Sequence, residues 1–265
     1  MAQSGASVLS SGWIEDGKAL DIHFTGDAAA VRAAVEGAFD RTDAIVQKTA
    51  DRARSLIIAD MDSTMITIEC IDELADYAGI KPQIAEVTER AMRGELDFEE
   101  ALRSRVALLK GVPESALHAV YQERLRLNPG AQALVQVCQK AGLKTLLVSG
   151  GFTFFTDRVR DVLGLDETRS NVLEVAHGVL TGRMVDQPWG DICDGEEKRR
   201  MLTQTCARWG FAPHQAIAMG DGANDLPMMG VAGLSVAYHA KPKVREQAMV
   251  AIEEGGLDRL LEILN

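Results

Sequence analysis

Residues 56–64 read Leu-Ile-Ile-Ala-Asp-Met-Asp-Ser-Thr: four apolar residues, then two carboxylates separated by one residue, then two hydroxyls. The apolar run predicts a strand buried on both faces, and chemistry in an open α/β sheet collects where such strands end. Asp60 and Asp62 would raise each other's pKa in one pocket, so the pair needs a divalent cation or a shared proton. Their oxygens suit Mg²⁺, and an ionised Asp60 beside that ion is a nucleophile for phosphorus. An aspartate-rich turn without a chemical role is the alternative for this stretch alone.

Two further apolar runs stop at small or acidic residues. Residues 145–148 lead into Ser149-Gly150-Gly151, and residues 216–219 lead into Gly220-Asp221-Gly222-Ala223-Asn224-Asp225. Parallel strands bring such ends to one edge of a sheet. The sequence therefore predicts an α/β fold with a Rossmann-like parallel sheet and a polar site at one edge. That site would contain Asp60, Asp62, Ser149, Asp221, Asn224 and Asp225.

Between the first two of these strands the pattern is helical, which predicts an inserted cap over about residues 66–127. Helices are expected over residues 70–77, 82–93, 97–110 and 113–124, the third opened by a capping box of Asp97 and Glu100. Asn128 is the expected N-cap of the next core helix, which Gly142 would close. A helical cap at this point would exclude water and complete a substrate pocket.

The rest of the chain divides into a flap and a small N-terminal piece. Residues 172–175 and 179–185 flank Gly178 as a predicted β-hairpin, followed by a helix over 196–209, a strand over 233–237 and a helix over 257–264. Residues 1–12 look loose, 20–24 form a strand, 28–39 a helix and 40–54 a charged helical linker. We therefore divide the chain into a strand-helix appendage with linker (1–54) and a catalytic core (55–265). The appendage is too small for its own core and must pack on the main body or on a second subunit, which makes a homodimer possible.

Composition limits the classes of function. The chain has 265 residues, 46% of them hydrophobic, and a net charge of −11. So acidic a chain is a poor long-range binder of nucleic acid or membrane surfaces, and we expect neither partner. Its four cysteines are scattered without a CxxC pair, which indicates buried reduced thiols rather than a zinc site or a disulfide framework. Without an apolar run of membrane-spanning length or a signal-peptide pattern, a cytoplasmic location is expected.

The polar strand ends, followed by Lys198, resemble the motif set of the haloacid dehalogenase superfamily. Within it, residues 55–250 are similar in type and order to the phosphoserine phosphatases, through Glu69, Met92, Phe98, Arg105 and the Ser149-Gly150-Gly151-Phe152 turn. The resemblance implies Mg²⁺-dependent hydrolysis of O-phospho-L-serine to L-serine and phosphate through an aspartyl phosphate, the last step of serine biosynthesis. It also implies that the N-terminal piece is a fragment of an ACT-like region, which either binds a regulator or only packs.

The resemblance assigns a role to each matching residue. Asp60 is the nucleophile and Asp62 the general acid and base, while Asp60, the Asp62 backbone carbonyl and Asp221 hold the metal. Phosphate-binding residues are Ser149, Gly150 and Lys198. Substrate-binding residues are Glu69 for the ammonium, Arg105 for the carboxylate, Asn224, and Met92 and Phe98 as pocket lining. Ser63, Thr64 and Asp225 are supporting residues.

Several alternatives remain open from the residues alone. Arg199 or Arg200 could take the role of Lys198, and Arg105 could pair with Glu99 or Glu100 on a solvated helix face. The substrate could be another small phosphomonoester, such as phosphohomoserine. The chain could also be a catalytically silent amino-acid sensor, or an enzyme that transfers the phosphoryl group to acceptors other than water.

Overall fold

The computed structural model describes residues 4–35, 38–39, 42–47, 49, 53–190 and 192–264. Its strands are β1 (Ser7–Glu15), β2 (Ala19–Thr25), β3 (Leu56–Ala59), β4 (Lys144–Phe152), β5 (Glu167–Ala176), β6 (Val179–Val185), β7 (Ala216–Gly220), β8 (Leu234–Tyr238) and β9 (Val250–Ile252). Its helices are α1 (Ala28–Val35), α2 (Cys70–Tyr77), α3 (Lys81–Met92), α4 (Phe98–Leu108), α5 (Ser115–Glu123), α6 (Ala131–Lys140), α7 (Thr153–Leu163), α8 (Gly195–Trp209), α9 (Leu226–Met229), α10 (Pro242–Gln247) and α11 (Leu261–Leu264).

A seven-stranded sheet in the order β6-β5-β4-β3-β7-β8-β9 forms the core, and all its pairs are parallel except β5 with β6. Strand β3 lies at the centre, where Ala59 pairs with Leu147 of β4 and with Met219 of β7. All four β3 residues are buried. Leu56 and Ile58 join one hydrophobic cluster, while Ile57 and Ala59 join the other. Helices therefore cover both faces of β3, as its unbroken apolar run predicts.

The predicted cap is present as α2–α5, inserted between β3 and β4. The α4 capping box forms as expected, because Asp97 accepts from the Glu100 backbone at 2.8 Å and Glu100 accepts from the Asp97 backbone at 3.1 Å. The chain enters and leaves the cap side by side, with Ile66 bridged to Leu127.

The predicted N-cap role of Asn128 is wrong. Gly130, with a φ of 80°, precedes α6, which begins at Ala131. The Asn128 amide donates instead to the carbonyls of Thr64 and Ile66, at 2.8 and 3.1 Å. Asn-Pro is a local helix-start signal, but the Asn128 side chain bonds to these two carbonyls at the base of the cap instead of capping its own helix.

The flap is the predicted hairpin of β5 and β6, and it continues the main sheet. β5 begins at Glu167, five residues before the predicted Val172, and pairs in parallel with β4. The flap also bonds to the cap, since the Gly111 amide donates to the Leu180 carbonyl at 2.8 Å and Glu114 donates to Gly178 at 2.9 Å.

The N-terminal piece differs most from expectation. Residues 7–12, predicted to be loose, belong to β1, which pairs antiparallel with β2 and is exposed along its whole length. α1 ends at Val35, before the predicted residue 39. Residues 42–47 and 53–54 of the predicted helical linker form no helix, and most of its other residues lie outside the described ones. α1 contacts the main body through Arg32, which donates to the Ala248 carbonyl at 2.7 Å, and Val31 of the same helix is buried.

Near the C-terminus, the three-residue strand β9 was not predicted, and the last helix starts with a 3-10 turn over Leu257–Leu260. All four cysteines are buried, as predicted, and each is free. Within the described residues, every helix is too short or too polar to cross a bilayer.

Candidate active site

The polar strand ends meet at one edge of the sheet. Asp60 follows β3, Ser149 lies near the end of β4 and Asp221 follows β7. Carboxylate oxygens of Asp60, Asp221 and Asp225 all lie within 4.8 Å of one another. Burial, followed by the charge of Asp60, raises the pKa of Asp221. Three acidic groups this close repel one another unless cations lie between them.

Lys198 supplies one of those cations. It lies in the first turns of α8 and is completely buried, with Nζ 2.6 Å from Asp225 Oδ1 and 2.9 Å from Asp60 Oδ1. Burial by itself would lower the pKa of Lys198, but Asp225 and Asp60 overcome that effect and raise it. Lys198 is therefore an ammonium ion at neutral pH.

The neighbouring arginines do not compete for this position. Arg199 pairs with Glu196 at 2.8 Å on the exposed side of α8, and Arg200 pairs with Glu197 and donates to the Trp189 carbonyl at 2.6 Å. The placement therefore favours Lys198 over both alternatives.

Each carboxylate oxygen of Asp225 accepts a hydrogen bond from the protein. Its Oδ1 accepts from Lys198 at 2.6 Å and its Oδ2 accepts from the Gly222 backbone at 3.0 Å. A methyl group on Gly220 would lie 2.2 Å from Asp225 Oδ2, so the close approach requires glycine at position 220. Asp60, Asp221 and Asp225 could each offer a carboxylate oxygen to a metal ion, and the resemblance assigns that role to Asp60 and Asp221.

Asp62 lies in the turn after β3 and faces the end of β4. Its Oδ1 accepts from the Cys70 backbone at 3.1 Å. A methyl group on Gly151 would come within 2.7 Å of Asp62 Oδ2 and 3.0 Å of Ser149 Oγ, so the three residues are direct neighbours. Burial, then the charges of Glu69 and Asp60, raise the pKa of Asp62 well above its ordinary value.

The Ser149-Gly150-Gly151 turn has a defined hydrogen-bond pattern. Ser149 is buried, and its Oγ accepts from the Gly151 backbone at 2.9 Å. This leaves the hydroxyl hydrogen of Ser149 available to donate. A methyl group on Gly150 would lie 2.8 Å from Phe98 Cζ, which shows that the first residue of α4 reaches from the cap onto this turn.

The other cap residues lie at different depths. Ser63, at a φ of 55°, donates from Oγ to Glu69 Oε1 at 2.6 Å, which places exposed Glu69 beside the Asp60–Asp62 turn. Arg105 is half-buried, and its Nε lies 3.4 Å from the Ala101 carbonyl of its own helix. Met92 is 84% exposed at the end of α3, so its pocket-lining role stays a prediction.

The carboxylates that could have neutralised Arg105 are used elsewhere. Glu99 pairs with Arg103 at 2.8 Å, and Glu100 closes the α4 capping box. Among the described residues, no carboxylate forms an ion pair with Arg105. The alternative of a helix-face ion pair at Arg105 therefore does not hold.

Of the remaining predicted residues, Thr64 is buried beneath the turn and Asn224 is half-buried beside Gly222. A methyl group on Gly222 would lie 2.4 Å from Asn224 Oδ1. Two further features have no signal in the sequence: buried Asn171 of β5, and the ion pair between half-buried Arg169 of β5 and buried Glu197 of α8. Neither belongs to a recognisable motif, and a polar residue in a strand gives no signal of its partner.

Comparison with known proteins agrees with this geometry. Residues 57–230 match the haloacid dehalogenase-like hydrolase family. The chain is 73% identical over 210 residues to the phosphoserine phosphatase of Polaromonas sp. (strain JS666), covering 79% of this chain and 89% of that protein.

Two solved structures are similar in fold and sequence. A probable phosphoserine phosphatase from Vibrio cholerae in its unliganded form superposes with a TM-score of 0.76 at 37% identity, covering 98% of this chain and 78% of that chain. A phospho-aspartyl intermediate analogue of a phosphoserine phosphatase superposes with a TM-score of 0.74 at 34% identity, covering 80% of this chain and 100% of that chain. Together with the carboxylate cluster at the end of β3, these matches establish that the chain belongs to the haloacid dehalogenase-like hydrolase family and, within it, to the phosphoserine phosphatases.

Proposed function

We propose that this chain hydrolyses O-phospho-L-serine to L-serine and phosphate through a phosphoryl group carried on Asp60. The observation that carries the proposal is the buried contact of Asp60, at the end of the central strand, with Lys198 at 2.9 Å, beside Asp221 of the neighbouring strand end. The ammonium lies directly against the Asp60 carboxylate, and an Asp carboxylate held in this way can act as a nucleophile toward phosphorus. The phospho-aspartyl analogue of the 34% identical relative supports the same intermediate.

The donor set fits a divalent cation. The carboxylate oxygens of Asp60 and Asp221 carry two negative charges. Lys198 does not cancel both charges, because its single positive charge is shared with Asp225. Hard carboxylate oxygens of this kind suit Mg²⁺, which Asp60, Asp221 and the Asp62 backbone carbonyl would hold. Bound there, Mg²⁺ would supply positive charge against the repulsion between phosphate and carboxylate.

The chain's own residues account for the proton and charge movements. Asp60 attacks phosphorus while Asp62, whose raised pKa favours the protonated form, gives its proton to the departing serine oxygen. Asp62 then takes a proton from the water that hydrolyses the aspartyl phosphate. Ser149, through its free hydroxyl hydrogen, and Lys198 hold the phosphoryl oxygens where negative charge develops. Gly150 lets the phosphate approach the turn, Asn224 contacts the substrate, and Ser63, Thr64 and Asp225 hold the reacting groups in place.

The cap selects the amino-acid part of the substrate in this proposal. Glu69 binds the ammonium, Arg105 binds the carboxylate through two parallel donors, and Phe98 and Met92 line the pocket. In this proposal the N-terminal appendage ends at residue 54, and the cap spans about residues 66–127. The reaction is the last step of serine biosynthesis and takes place in the cytoplasm.

A panel of small phosphomonoesters tests the proposal. We expect O-phospho-L-serine to give the highest kcat/KM and a chelator to stop phosphate release until Mg²⁺ is restored. Higher kcat/KM for phosphohomoserine would assign the other phosphatase activity, and absence of release from every ester would favour the amino-acid sensor.

Arg105→Ala tests the assigned recognition of the substrate carboxylate. Loss of a charge-assisted hydrogen-bonded pair costs about 1.5–3 kcal/mol, so kcat/KM for phosphoserine should fall by about 10- to 150-fold. Hydrolysis of O-phosphoethanolamine, which has the ammonium but no carboxylate, should change by less than about threefold. Arg103→Ala is the matched control, since Arg103 lies on the same helix and pairs with Glu99. Equal losses on both esters would contradict the assignment.

A further inference from the structure

The pairing of β4 with β5 is interrupted at the phosphate-binding turn. Val148 pairs with Arg169 and Phe152 pairs with Asn171, so three residues of β4 lie opposite one residue of β5. Such bulges are common beside active sites, and they leave backbone groups without their ladder partners. Asn171 forms the one β4–β5 pair beyond the bulge, with Phe152, and it is only 1% exposed.

The Asn171 side chain bonds to a backbone carbonyl of the bulge and to a second backbone group outside it. Its Nδ2 donates to the Gly150 carbonyl at 2.8 Å, and its Oδ1 accepts from the Cys193 backbone at 2.8 Å. The orientation of the amide is fixed, because a carbonyl only accepts and a backbone N–H only donates. One buried side chain thus joins the turn of Ser149 to the segment that begins α8, the helix of Lys198.

The hydrogen bond from Asn171 to the Gly150 carbonyl affects the Ser149 hydroxyl through the planar peptide group that links Gly150 to Gly151. The Gly150 carbonyl and the Gly151 N–H belong to the same peptide group and point in opposite directions. Holding the carbonyl on Asn171 therefore directs the Gly151 N–H, which donates to Ser149 Oγ at 2.9 Å. That bond sets the rotamer of Ser149 and leaves its hydrogen free for a phosphoryl oxygen.

We propose that Asn171 is a positioning residue for phosphate binding, which holds the Ser149 turn and the start of α8 at a fixed separation without touching the substrate. This inference rests on the proposed function, because it needs Ser149 and Lys198 to share one phosphoryl group. A merely structural Asn171 would affect stability, whereas a positioning Asn171 also affects the affinity for phosphate itself.

Asn171→Asp is the most selective test. The new carboxylate keeps the size of the amide and still accepts from Cys193, but it repels the Gly150 carbonyl instead of donating to it. We expect weaker binding of inorganic phosphate in the presence of Mg²⁺, by about 10- to 100-fold, and a comparable fall in kcat/KM, since a small misplacement of binding groups costs about this much. The preference for phosphoserine over O-phosphoethanolamine should not change, because the cap residues are untouched.

Ser170→Ala is the matched control. Ser170 precedes Asn171 and is equally buried, and its backbone lies opposite the bulge, but its hydroxyl bonds to Thr156 at 2.7 Å and not to the turn. It should lower the melting temperature and leave phosphate affinity within about twofold. Asn171→Ser, which is uncharged and too short to reach Gly150, replaces Asn171→Asp if burying the carboxylate prevents folding.

Calorimetric titration of phosphate measures the affinity of each variant, and thermal unfolding of the same samples measures its stability. Unchanged phosphate affinity in a folded Asn171 variant would overturn the positioning role, and so would an equal loss in Ser170→Ala. Failure of the proposed function is distinguishable, because the wild type would then release no phosphate from phosphoserine while phosphate titration would still compare the variants.

Discussion

Replacing Asp60 by asparagine is expected to lower phosphate release from phosphoserine by about 10⁴-fold or more, because losing a covalent nucleophile costs about this much in other enzymes. The amide of asparagine has the shape of the carboxylate but is a very poor nucleophile at neutral pH. Colorimetric phosphate assays with saturating Mg²⁺ and high enzyme concentrations measure the residual rate.

The fold should survive this change. Asparagine can still accept the Met61 backbone N–H that Asp60 Oδ1 accepts at 2.7 Å, and Lys198 keeps its partner Asp225. Removing one of three crowded carboxylates also relieves repulsion, so the melting temperature without metal should stay within a few degrees of the wild type, as it does for small changes in folding free energy.

Asp221→Asn is the control that separates nucleophile from metal ligand. It removes one charge from the same cluster, but it leaves Asp60 in contact with Lys198. Activity lost in Asp221→Asn should be partly restored by higher Mg²⁺, whereas Asp60→Asn should not respond. Beryllium fluoride, a mimic of the phosphoryl group, should bind the wild type and not Asp60→Asn. If Asp60→Asn keeps more than about one-hundredth of the wild-type rate, Asp60 is not the nucleophile.

The centre of the sheet could be predicted because burial and chemistry mark the same residues there. The run over residues 56–59 is apolar at every position since helices cover both faces of β3, and the chain turns polar where the strand meets the site. The β4 and β7 ends repeat this pattern, so parallel topology alone brought Asp60, Ser149 and Asp221 together.

Other features depend on partners that are distant in sequence. β1 is exposed at every residue, so no alternation of apolar and polar positions marks it as a strand. Asn128 follows the local pattern of a helix cap but binds carbonyls some sixty residues away. Asn171 acquires its contacts only because β4 bulges opposite β5, and no spacing in the sequence encodes a bulge. Patterns that recur locally could be read from the sequence, and hydrogen bonds between distant segments could not.

Lys198→Met is expected to weaken both folding and catalysis. Methionine fills nearly the same volume without the ammonium, so Asp225, completely buried, and Asp60 lose their shared cation. Breaking a buried ion pair in this way costs about 3–5 kcal/mol of unfolding free energy. Phosphate release should fall by about 10³-fold, since the developing negative charge loses a preorganised positive group. Denaturant unfolding and phosphate assays measure the two effects separately.

The double variant Lys198→Met/Asp225→Asn decides whether the catalytic loss follows from the stability loss. Asparagine at position 225 can still accept the Gly222 N–H, which Asp225 accepts at 3.0 Å, and it leaves no unpaired charge there. Because removing both members of a buried pair is far less costly than removing one, the double variant should regain much of the unfolding free energy. Its phosphate release should stay as low as in Lys198→Met, because the Lys198 ammonium no longer faces the phosphoryl oxygens. Recovery of activity together with stability would mean that Lys198 acts only as a structural partner of Asp225 and does not bind the phosphoryl group.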